Sequence, residues 1–179
     1  MSDSKKNSPN SEDFDMFLLE INKSYNDIMM YKYRNISNTF KTLIDSDNAR
    51  ALINIHHEDP DIRSYCAYSL MQRSDKMLDL QGIFLDRLTT ESNQNVKAEL
   101  LVYIGNFLQI TQSPSMILAI LSEISNVSNS TRIRNTAYMA LLVGLSYIDE
   151  LTRINILETN ILLVDNMIIN KIINQWTKV

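Results

Sequence analysis

The sequence predicts an all-α fold, and three observations lead there. Apolar residues recur at three- and four-residue steps along most of the chain, the period of a helix that buries one face. Only 3 Gly and 3 Pro stand among 179 residues, too few for the many tight turns of an all-β fold, which need positive or fixed φ. No stretch of four or more residues alternates strictly apolar and polar between turn signals, so no strand is expected.

The elements follow in order. Residues 1–13 carry no aliphatic residue after Met1, and such a segment does not offset its own ordering entropy. A disordered tail is expected there, followed by a single helical-repeat domain over 14–179. Phe14, Phe17, Leu18, Ile21, Tyr25, Ile28 and Met29 form one apolar stripe. They predict a long helix to about Arg34, with a second from about Asn38 to Ile44. Further helices are expected near 47–57, 60–73, 76–90, 94–110, 114–125, 130–147, 150–158 and 161–177. Asp59-Pro60 reads as a cap followed by proline at the first helical position, where the missing N–H costs nothing. Ser113-Pro114 repeats the device, and Asn93, Asn129 and Asn160 are candidate caps for other starts.

Three of these helices share a frame. Ile62-Arg63, Val96-Lys97 and Ile133-Arg134 each join a β-branched residue to a cation, and buried-type residues follow three and four places later. Ile62 to Val96 is 34 residues and Val96 to Ile133 is 37, a period that signals a helical solenoid. Asp59, Ile62, Arg63, Cys66, Ala67 and Leu70 resemble the HEAT-repeat pattern of Asp, Val-Arg, paired small residues and Leu. Ile133, Arg134, Ala137 and Leu141 follow it with Tyr138 in place of one small residue, and Val96, Lys97, Leu100, Leu101 and Ile104 more loosely. The resemblance covers about residues 47–147 and implies a HEAT-like α-solenoid of about four or five stacked antiparallel helix pairs with atypical ends. The alternative is an irregular α-bundle.

Charge and composition narrow the function. The formal net charge is −4 and the pI about 5.2, which disfavours a general nucleic-acid binder and is compatible with a basic protein partner and equally with ordinary solubility. Residues 139–148 form the longest nearly apolar stretch, far short of the ~20 needed to span a bilayer. Residues 1–13 lack the apolar core of a secretory signal. A single cysteine makes no internal disulfide. A cytoplasmic protein without membrane contact is expected. The abundance of Asn and Ile, with Gly and Ala scarce, also points to an A/T-rich genome.

No catalytic constellation emerges. His56, His57, Glu58, Asp59 and Asp61 are dense in potential ligands, but neighbouring helical side chains point about 100° apart. They read as an inter-helix turn, with the histidines at a negative helix end and Asp59 as a cap; no metal is expected. Cys66 occupies a core position. Gly82, Gly105 and Gly144 stand isolated within helices and make no phosphate loop. A non-enzymatic chain without cofactor is the reading.

Arg63, Lys97 and Arg134 should form a line. The HEAT resemblance implies pairing with turn carboxylates, for which Asp59 and Asp61 are candidates; the alternative is a phosphate-tracking stripe. Tyr65, Tyr68, Tyr103, Asn106, Asn135 and Met139 are expected on the inner curve, where such side chains suit protein recognition. Glu99 would add negative charge at its middle, and Asp59 and Asp61 at its edge. The leading function is a protein-binding module. In type the chain resembles the small acidic immunity proteins of bacteria, which implies a basic toxin domain such as a nuclease as partner. The alternatives are a nucleic-acid-binding repeat protein like the helical-repeat DNA glycosylases, and a scaffold or regulatory adaptor.

Overall fold

The computed structural model describes residues 32–72, 77–147 and 163–176, and all regular structure among them is helical. The expected tail over 1–13, most of the helix expected over 14–34, the helix expected over 150–158 and the cap Asn160 lie outside these residues. The chain divides into two compact units, Met1–Lys41 and Thr42–Val179. In the first, the Ser37 hydroxyl accepts the Phe40 N–H and its carbonyl the Lys41 N–H, which starts α1 (Asn38–Ser46).

In the second unit the described helices are α2 (Asn48–Asn54), α3 (Pro60–Met71), α4 (Met77–Thr90), α5 (Gln94–Thr111), α6 (Pro114–Ser125), α7 (Thr131–Gly144) and α8 (Asn166–Trp176). Local chemistry sets their ends. Asp47 accepts the Ala49 N–H, Asp59 the Asp61 N–H, and Asn93 those of Asn95 and Val96. Asn129 does not cap α7. Ser130 does, its hydroxyl accepting the Ile133 N–H, while the Asn129 side chain is turned back to donate to the Glu123 carbonyl and carboxylate. Ser113 precedes Pro114 but makes no side-chain cap bond; its hydroxyl accepts from the Gln81 amide instead. α8 starts later than position 161 because Asp165 accepts the Met167 N–H. α5 stops where Gln112 turns left-handed at φ 48°, its N–H bonded to the Leu108 carbonyl. α7 stops on left-handed Ser146, with the Ser146 and Tyr147 N–H groups returning to Val143 and Leu142. These bonds satisfy carbonyls that a helix end otherwise leaves orphaned.

α5 lies at the middle of the packing. It contacts α3 and α7 and also the helix on each side of it in sequence, while α2 pairs with α3 and α6 with α7. Leu100, Leu101, Ile104, Phe107 and Leu108 are fully buried along it, each such side chain contributing about 1.5–3 kcal/mol. Phe84 of α4 meets Tyr103 and Phe107 edge-on, at centroid distances of 6.0 and 5.2 Å. The small residues Cys66, Ala67 and Ala137 are buried. α5 and α7 approach so closely that a Cβ on Gly105 would sit 2.8 Å from the Ala140 carbonyl oxygen.

Candidate functional site

The aligned cations point inward. Arg63 is buried and donates from Nε and Nη2 to both oxygens of buried Glu91, at 2.9 and 2.8 Å, while its Nη1 meets the His57 and Glu58 carbonyls. Arg87 reaches the same carboxylate from one turn earlier in α4, and the Asn93 N–H adds a further bond. Burial pulls the Glu91 carboxyl upward. The bonds from Arg63, Asn93 and Arg87 outweigh it and hold the group down at about 2. Lys97 meets Glu123 at 3.1 Å, both largely buried, and Arg134 donates to the Ile124 carbonyl. Asp59 and Asp61, the nearest carboxylates in sequence, are not the partners: the first caps α3 and the second stands exposed in its first turn. Glu91 and Glu123 were missed because they lie 28 and 26 residues from their cations. The available signal was their position, each near the end of the helix that follows the cation's helix.

With those side chains turned in, the outward stripe of each helix repeats the offsets of 34 and 37. Asp61, Asn95 and Arg132 make a first row across α3, α5 and α7; Tyr65, Glu99 and Thr136 a second; Tyr68, Val102 and Met139 a third; Gln72, Asn106 and Val143 a fourth. The steps of four, three and four residues keep each stripe on one helix face. One side-chain contact follows the register, Arg132 donating to Asn95 at 2.8 Å, and beside it Ser130 donates to Gln94, one residue off the offset. On the α3 side, Ser64 donates to Glu99, and Asp45 of α1 accepts from the Tyr65 and Ser69 hydroxyls at 2.7 Å each. The third row is apolar. Val102 is 41% exposed, and Tyr68 and Met139 are partly so.

Of the residues expected on this surface, Asp59, Asp61 and Asn106 are exposed, and Tyr68, Glu99 and Met139 are half-buried. Tyr65, Tyr103 and Asn135 are instead buried. Tyr65 is tied down by Asp45, and burial together with that hydrogen bond pushes its phenol well above the usual range. Tyr103 is packed against Phe84, and Asn135 accepts the Leu163 N–H at 2.9 Å. The reason for the last two is angular. Each lies one residue off the stripe, and one residue rotates a helical side chain by about 100°. Val102 and Thr136, the residues in register with Tyr68 and Tyr65, occupy the surface places.

The arrangement offers fixed polar contacts beside an apolar row. Cys66 is fully buried, and burial, followed by the charge of Asp45, pushes its thiol up to about 12, so it stays protonated at neutral pH. His57 accepts the Asp59 N–H through Nδ1. Among the described residues no group of three or more His, Cys, Asp or Glu is placed to hold a metal ion, and no helix is long and apolar enough to cross a membrane. No family model, no curated protein and no solved structure matches this chain.

Proposed function

We propose that the chain is a non-enzymatic protein-binding module, built as a HEAT-like α-solenoid, which acts in the cytoplasm as an immunity protein against a basic toxin domain such as a nuclease. The observation that carries the reading is the inward turn of Arg63 and Lys97 onto Glu91 and Glu123. It removes the cation row that motivated a phosphate-tracking role and leaves Tyr68, Val102, Met139 and Asn106 on the outward stripes. Aromatic and Met side chains are enriched at protein interfaces. The pairing of each helix from α3 to α7 with its predecessor, and of α5 with α3 and with α7, supports the layered architecture. The acidic balance supports a basic partner, since complementary charge speeds encounter.

The test is co-expression with the product of the gene immediately upstream. A complex that co-elutes and suppresses that product's toxicity is expected, together with a flat titration against duplex DNA at low salt. No complex, with DNA affinity that falls steeply as salt rises, overturns the proposal in favour of a nucleic-acid-binding repeat protein.

A further inference from the structure

We draw no further inference here: the strongest candidate, the uncharged outer face of α6 on which Leu118 stands exposed between Ser115 and Ser122, carries none, because nothing in the structure shows what covers it.

Discussion

Glu91 accepts from two arginines and one backbone N–H while its side chain is fully buried. Its carboxyl is depressed from 4.5 to about 2 in the folded chain, so the native state holds the group ionised where the unfolded chain would already protonate it. Its contribution to stability is complete above the unfolded value and is lost as pH falls through about 4.5 toward about 2, a change on the order of 2–3 kcal/mol. Glu91→Gln should therefore lower stability at pH 7 by about 3 kcal/mol, and the gap to the parent should close as pH falls below about 5. Urea denaturation of both proteins from pH 7 to pH 3 measures it, and a gap that stays constant would refute the pairing. That role was not legible beforehand. A sequence shows which carboxylates are near in chain, and Asp59 and Asp61 were the near ones, but the Asp59 oxygen already serves the Asp61 N–H.

At the scale of the helix, legibility followed the range of the interaction. Asp59 and Asn93 were recognisable as caps because the N–H groups they accept lie two or three residues on. Asn129 was misplaced because its side chain is turned back to donate to Glu123, six residues earlier, and the next residue, Ser130, makes the cap. The glycines carry a signal of the same non-local kind. Gly82 and Gly105 both sit within helices, where glycine costs about 1 kcal/mol relative to alanine. A Cβ at Gly82 meets nothing within 4 Å, whereas one at Gly105 meets Ala140 backbone at 2.8 Å. Gly82→Ala should stabilise by about 1 kcal/mol, and Gly105→Ala should destabilise by about 1–3 kcal/mol through overpacking. Urea midpoints that rise for both would show that the α5–α7 approach does not depend on the missing side chain. A Cβ on Gly144 would sit 2.7–2.8 Å from Cδ2, Cβ and Cγ of fully buried Leu108; the Leu108 Cβ does not move when the side chain rotates, so Gly144→Ala should also destabilise, by about 1–3 kcal/mol.

For the whole molecule, the repeat offsets were enough to align α3, α5 and α7, and applying them once more to Tyr68 would have found Val102. Choosing residues by type rather than by register admitted Tyr103 and Asn135, both of which face inward. The alignment also shows what the ion pairs join. Arg63 of α3 reaches Glu91, just past α4, and Lys97 of α5 reaches Glu123 of α6, so each links one helix pair to the helix that begins or precedes the next. Desolvating such a pair costs roughly what the attraction returns, whereas leaving one partner alone costs about 3–5 kcal/mol. Lys97→Met should therefore destabilise strongly, since Glu123 would keep only the Asn129 amide. Lys97→Met combined with Glu123→Leu should recover to the parent value or exceed it by about 1–4 kcal/mol, with a single cooperative urea transition, because buried Leu100, Leu101, Ile104 and Leu108 still hold α5 in the core. A double variant as unstable as the single, or one that unfolds in two steps, would mean that the charges rather than the apolar contacts hold neighbouring helices together.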